Sequence, residues 1–447
     1  MWLLTLLGLA IVFIVLTTTR FKLHPFLALL LAAFGYGVAS GKMSLADVAK
    51  AVNDGFGGTI GAIGIVILAG SIIGTFLEKS GGAFSLAERT IRLVGQKNVP
   101  LAMGLIGYIV SIPVFCDSGF VVLSPLAKAM SRRAGLPLAA SAISLSLGLY
   151  ATHTMVPPTP GPIAAAGILK ADLGLVILWG LLVSLITFVV GWLFAMVATR
   201  RMPAGVNVPD GASPEPVADE RRPSALKAIL PILLPIVLIV LKSIADLPEH
   251  PLGQGGAAKL AGFVGQPVVA LLIGVFLAFL LPRRLTTEML STSGWTGEAV
   301  LAAATIIIIT GSGGAFGKVL QNSGIADFIT KNLGSSSGLS ILLPFAVAAA
   351  LKTAQGSSTV AIITTAGIMA PLLESLHLDS PTGRALAVVT IGAGSMVVSH
   401  VNDSYFWVVT GFSKMTVKEG YRLQTLGTFV QGGAAAVTLW LIGSFVL

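Results

Sequence analysis

The sequence predicts an all-α polytopic membrane protein built as two inverted-topology repeats. Each repeat is expected to hold about five spans, one of them broken, and one re-entrant hairpin. Three observations predict this. The 447-residue chain is 55% hydrophobic and 11% charged, whereas an ordinary soluble domain is about 25% charged. Apolar segments near spanning length recur along it. Polar, helix-breaking sequence interrupts them twice in each half, at matching stations.

In order, apolar segments lie near 2–19, 24–40, 56–77, 136–169, 173–198, 226–244, 262–282, 298–320, 385–412 and 424–446. The first follows Met1 with no basic lead and no small-residue cleavage site, so it reads as a retained helix. The 136–169 and 385–412 segments are long and carry polar breaks. Two further stretches, about 100–131 and 340–371, each hold two short apolar arms around a polar or Gly/Ser tip, and read as re-entrant hairpins. Residues 200–224 lack any apolar run, are rich in Pro, Ala and acids, and form the expected cytoplasmic linker. They divide a first repeat, 1–199, from a second, 225–447. With five spans per half, the second half starts on the opposite side of the membrane.

Charge gives the orientation. With the N-terminus outside and each hairpin returning to its own side, 19 basic residues fall inside and 8 outside, and every Arg–Arg pair is inside. Positive-inside bias therefore favours both termini on the periplasmic side. The same bias accounts for the net charge of +9 without nucleic acid. Cys116 is the one cysteine, which excludes an intrachain disulfide and any zinc or iron–sulfur spacing. No metal and no cofactor is expected. Gly311 to Lys318 imitates a phosphate-binding loop, but Ser312 stands where its first glycine belongs and Val319 where Ser or Thr must follow the lysine.

The interruptions are the candidate site. Polar backbone at membrane depth is tolerated where it lines a cavity or contacts protein. At the first tip, Pro113 ends one arm and Asp117-Ser118-Gly119 opens the next. Asp117 either caps that arm or titrates and contacts a solute, and the N-terminal N–H groups there favour an anion. The second tip offers Gln355, Gly356, Ser357, Ser358 and Thr359, suited to a hydroxylated solute. The break after His153 contains Pro157, Pro158 and Pro160, flanked by Thr154 and Thr159. His153 is either a satisfied core histidine or a proton-responsive group. At the second break, His400, Asn402 and Asp403 stand together. Histidine and aspartate three apart can share one helical face, which makes that pair a candidate for proton coupling or for a buried stabilising contact. Lys352 is the one basic residue beside a tip. It is expected to snorkel or to form a salt bridge, with neutralisation of a solute carboxylate the lesser role. Interrupted hydrophobic segments in corresponding places of two halves point to a secondary transporter with a central site.

At these residues the chain resembles the gluconate permease family of proton symporters, within the broader ion transporter superfamily. The matching motifs are Pro113 to Pro125, Pro157 to Pro162, Gly311 to Gly324, Ala354 to Ala361 and Ser399 to Asp403. The resemblance implies uptake of gluconate or a related sugar or hydroxy acid across a bacterial inner membrane by proton symport. It also implies homodimers with a scaffold and a mobile domain that carries the hairpins. Relatives that handle D-serine keep a D-serine:proton symporter as an alternative. The chain departs from gluconate-transporting members, which tend to have Glu-Val-Gly at Asp117-Ser118-Gly119, His at Thr159, and Pro-Gly at Ser404-Tyr405. These departures weaken gluconate itself as substrate and leave the carboxylate class intact.

The expected solute contacts are then Ser118, Gly119, Thr154, Thr159, Gln355, Gly356, Ser357, Ser358, Thr359 and Asn402. Asp117, His153, His400 and Asp403 are the proton-coupling candidates. Sodium coupling through backbone carbonyls and hydroxyls is the nearest rival. A membrane enzyme is remote, because no nucleophile–base arrangement is recognisable.

Overall fold

The protein is described by a computed structural model covering residues 2–95, 98–200, 202, 222–245, 255–324, 340–400 and 403–447. The expected linker therefore lies almost wholly outside the described residues. The described structure is helical, without strands.

The first half runs α1 (Trp2–Thr19), α2 (Pro25–Ser40), α3 (Leu45–Lys79), α4 (Gly82–Val94), α5 (Val99–Val110), α6 (Cys116–Ala134), α7 (Leu138–Met155), α8 (Pro160–Leu169) and α9 (Leu173–Thr199). The second runs α10 (Ala225–Ala245), α11 (Gly256–Val264), α12 (Pro267–Ala278), α13 (Thr287–Leu290), α14 (Trp295–Asn322), α15 (Leu342–Gln355), α16 (Ser358–Met369), α17 (Pro381–Gly394), α18 (Ser404–Phe412), α19 (Val417–Gly420) and α20 (Leu426–Val446).

Helix ends follow local chemistry. Pro stands in the first turn of α2, α5, α8, α12 and α17, where its missing N–H costs nothing. Asp172 caps α9 by accepting from Leu175 N at 2.8 Å, and Ser380 caps α17 by accepting from Gly383 N at 3.0 Å. α15 ends on Gly356 at φ 88°, a conformation glycine adopts without a Cβ clash.

Among the described residues, four helices are long and apolar enough to cross a bilayer alone, and six if each bent pair counts as one. Other apolar stretches are divided. α7 and α8 share one stretch, as do α17 and α18, each interrupted by the polar break the sequence shows. The expected span at 262–282 is also bent, by 67° between α11 and α12. The outer faces are apolar: Leu178, Leu182, Leu185, Val189 and Leu193 are exposed along α9, as a lipid-facing helix requires.

α3 and α14 pack along each other at the centre. Their approach is close because a Cβ on Gly55 would strike the backbone of Ala315, and one on Gly314 would strike Thr59. α7 is buried on all sides, from Ala139 to Met155. Its serines are satisfied within the protein. Ser144 donates to Pro100 O at 2.6 Å and Ser146 to Gln424 Oε1 at 2.8 Å. Gln431 of α20 donates back to Leu147 O at 2.9 Å. The last two of these bonds tie the two halves together.

Candidate functional site between the two tips

Four interruptions meet near the middle of the structure. The first tip, residues 111–115, joins α5 to α6. The first break, 156–159, joins α7 to α8 and contains a cis bond between Pro157 and Pro158. Both are backed by α3. A Cβ on Gly74 would run into Pro113 O, and one on Gly70 would meet Pro158 O at 2.8 Å. Two bare positions one turn apart thus let both irregular segments seat on one helix. The second tip, at Gly356 and Ser357, joins α15 to α16. The second break lies between α17 and α18.

The second tip and second break are locked by charge. Lys352, fully buried, places Nζ 2.6 Å from Asp403 Oδ2 and also donates to Gly356 O. Ser399 Oγ donates to the same Asp403 oxygen at 2.6 Å. Asp403 Oδ1 accepts from Tyr405 N at 3.1 Å, capping α18. One carboxylate therefore binds the last turn of α15, the irregular stretch after α17 and the start of α18. Asp403 is only 5% exposed, and a carboxylate this deep needs such partners.

Spacing three allows His400 and Asp403 to share one face only if the chain between them is helical. The structure does not meet that condition. α17 ends at Gly394 and α18 starts at Ser404, so His400 lies outside any helix. Its Nε2 is 2.9 Å from Thr353 O, while Asp403 takes Lys352 instead. Asp403 is reached by the lysine because α15 delivers its C-terminal turn to the break.

The first half presents its acid differently. Asp117 sits in the first turn of α6, half-buried. Ser404 Oγ donates to its Oδ1 at 3.4 Å, which bridges the first tip to the second break. Cys116 Sγ lies 3.7 Å from Asp117 Oδ2. Ser118 interacts with the Glu78 carboxylate of α3. Gly119 donates its N–H to Phe115 O at 2.8 Å and packs on Leu149, so it serves the helix itself.

His153 is buried near the end of α7. Its ring stacks on Tyr150 at 6.5 Å and tilts against Phe115 at 6.0 Å. Its Nδ1 has no hydrogen-bond partner among the described residues. Thr154 and Thr159 are buried and bond local carbonyls, Thr154 to Tyr150 O at 3.2 Å and Thr159 to Val156 O at 2.7 Å. Ser357 caps α16 by accepting from Val360 N at 3.3 Å. Ser358 is buried and Thr359 half-buried on that first turn. Asn402 and the side chain of Gln355 lie outside the described residues.

The site also includes residues outside the expected solute-contact and proton-coupling sets. Tyr150 and Tyr405 pack at 5.1 Å, and Tyr405 donates to Ser146 O at 3.0 Å. Ser399 owes its place to the fold: its N–H goes to Thr428 Oγ1 at 3.0 Å and its carbonyl accepts from Thr425 at 2.6 Å. Lys352 carried a signal in the sequence. A lone lysine inside apolar sequence is functional or paired by default.

The comparisons agree with this architecture. Residues 1–446 match the family described as GntP family permease. A gluconate permease of Pseudomonas aeruginosa is 36% identical, with 93% of this chain and 92% of that protein covered. The D-serine transporter DsdX of Escherichia coli is 36% identical over 100% of this chain and 99% of its own. Among solved structures, the Alcanivorax borkumensis YdaH transporter superposes with a TM-score of 0.66 at 17% identity, covering 95% of this chain and 99% of that one. Neisseria gonorrhoeae MtrF gives 0.64 at 16% identity, covering 90% and 85%. The fold and the sequence match lead to one assignment: the chain belongs to the GntP permease family and is a multi-pass membrane transporter, not an enzyme.

Proposed function

We propose that the protein imports a small hydroxylated carboxylate, gluconate or a related sugar or hydroxy acid, across the bacterial inner membrane by proton symport. The observation that carries this reading is the convergence of Asp117, Asp403, Lys352 and His153 where the two tips and two breaks meet. Buried acids beside a cation and hydroxyls bind both a proton and an anion. Helix starts at α6 and α16 add N–H groups suited to a carboxylate. The two tips are read as re-entrant, the halves as inverted repeats, and the protein as a homodimer with both termini periplasmic. Coupling requires that proton and solute stabilise each other's bound state.

D-serine is the second substrate reading, favoured by the full-length likeness to DsdX. Purified protein in liposomes containing a pH dye tests both. With no ion gradient imposed, gluconate, short hydroxy acids and D-serine are added in turn. Substrate-dependent internal acidification is expected. Uptake that follows sodium and leaves the dye unchanged would replace the proton reading with sodium coupling.

A further inference from the structure

We propose that Lys352 is the receptor for the substrate carboxylate, and that Asp403 occupies it as an internal stand-in whenever the site is empty. This rests on the proton-symport reading above and gives it a device.

The argument begins with charge. A lysine with no exposed surface is stabilised as an ammonium by an anion beside it. In the structure that anion is Asp403, at 2.6 Å. A substrate carboxylate offers the same Nζ an oxygen of the same charge that Asp403 Oδ2 supplies. Both anions cannot hold the lysine together, because a second buried negative charge would go uncompensated. Protonating Asp403 removes the conflict. The neutral acid keeps its bonds to Ser399 and Tyr405 N, and Lys352 is left one negative charge short. A monoanionic substrate then restores neutrality.

The surroundings are consistent with that exchange. Cys116 and Asp117 from α6, Tyr150 and His153 from α7, and Tyr405 from α18 all act electrostatically on or with Asp403. His400 is held away at Thr353 O. Among the described residues of the cluster, Lys352 supplies the ammonium. Asp117 is held by two long contacts, Ser404 at 3.4 Å and Cys116 Sγ at 3.7 Å, and is assigned to the substrate's hydroxyls. The proton balance is simple. One proton goes onto Asp403, one carboxylate goes onto Lys352, and both leave on the other side as the ion pair re-forms.

The test uses full-length protein in liposomes, with gluconate and D-serine as probes. Wild-type affinity is expected to rise as the pH of the assay is lowered. Asp403→Asn should bind with an affinity independent of pH. It should exchange internal for external substrate and lose accumulation driven by a pH gradient. The neutral pair Lys352→Gln with Asp403→Asn should unfold near the wild-type temperature yet bind at least about thirtyfold more weakly. A folded double variant that binds like wild type would reduce Lys352 to a structural role. An Asp403→Asn variant that keeps the wild-type pH profile would overturn the proposal even if the double variant did not fold. Wild-type protein that never acidifies its liposomes would sink the underlying reading instead.

Discussion

The two tips solve one problem in opposite ways. Each interrupts apolar structure and must satisfy freed backbone groups away from water. The first does so by packing: Pro113, with Pro158 of the neighbouring break, presses its carbonyl against the bare Gly74 and Gly70 of α3, and its acid is left half-exposed with one long hydroxyl contact. The second does so by charge: Lys352, Asp403 and Ser399 close on one another with bonds of 2.6 Å. The difference suggests a division of labour. A tip held by shape can leave its acid free to meet a solute. A tip held by an ion pair opens only when something else neutralises one partner.

The sharpest way to break that comparison is to remove one side of the pair. Lys352→Ala leaves Asp403 buried without its cation, which costs about 3–5 kcal/mol. We expect a lower unfolding temperature in detergent and uptake reduced to background. Asp117→Asn should not behave this way. It is expected to fold normally and to lose uptake through weaker substrate affinity. Equal destabilisation by the two substitutions would show that both acids are structural.

The glycines of α3 test the packing side. A Cβ at Gly74 or Gly70 has no room beside Pro113 O or Pro158 O, so Gly74→Ala or Gly70→Ala should cost about 1–3 kcal/mol by overpacking. Circular dichroism melts check this. Gly57→Ala on the same helix meets nothing within 4 Å and serves as the control, with no loss expected.

Much of this was legible in the sequence, for physical reasons. Apolar run length and the four polar interruptions located α7, α8, α17 and α18, because a bilayer penalises every exposed polar group alike. Tip positions followed from Pro113 and Gly356, whose backbone chemistry is local. What sequence could not supply was partner choice. His400 and Asp403 look like a pair at spacing three only if the chain there is helical, and it is not. Lys352 finds Asp403 across 51 positions, a contact made by the packing of α15 against the break. Likewise nothing local tells that Ser118 turns to Glu78, or that α11 and α12 bend apart.

His153 gives a smaller, sharper test. It lies in the packed first half, stacked on Tyr150, with Nδ1 lacking a partner among the described residues. If the first half works by shape, His153→Gln should change uptake by less than about tenfold, the loss of roughly 1.4 kcal/mol of fit. It should leave the pH dependence of uptake where it was. Loss of proton-driven accumulation with exchange intact would move the coupling group from Asp403 to His153.

The smallest effect belongs to the one bond that joins the two regimes. Ser404 Oγ reaches Asp117 Oδ1 at 3.4 Å, and Ser404 is itself exposed. A contact that long is weak, so Ser404→Ala should leave the unfolding temperature unchanged and alter substrate affinity by no more than about threefold. Its value is in the direction. If Asp117 is held for the solute, freeing it from Ser404 should keep affinity or improve it. If instead Ser404 passes the state of the second break to the first tip, the variant should bind normally and transport slowly. Affinity and turnover measured on one liposome preparation separate these, because a lost hydrogen bond to substrate changes the first and a lost link between tips changes the second.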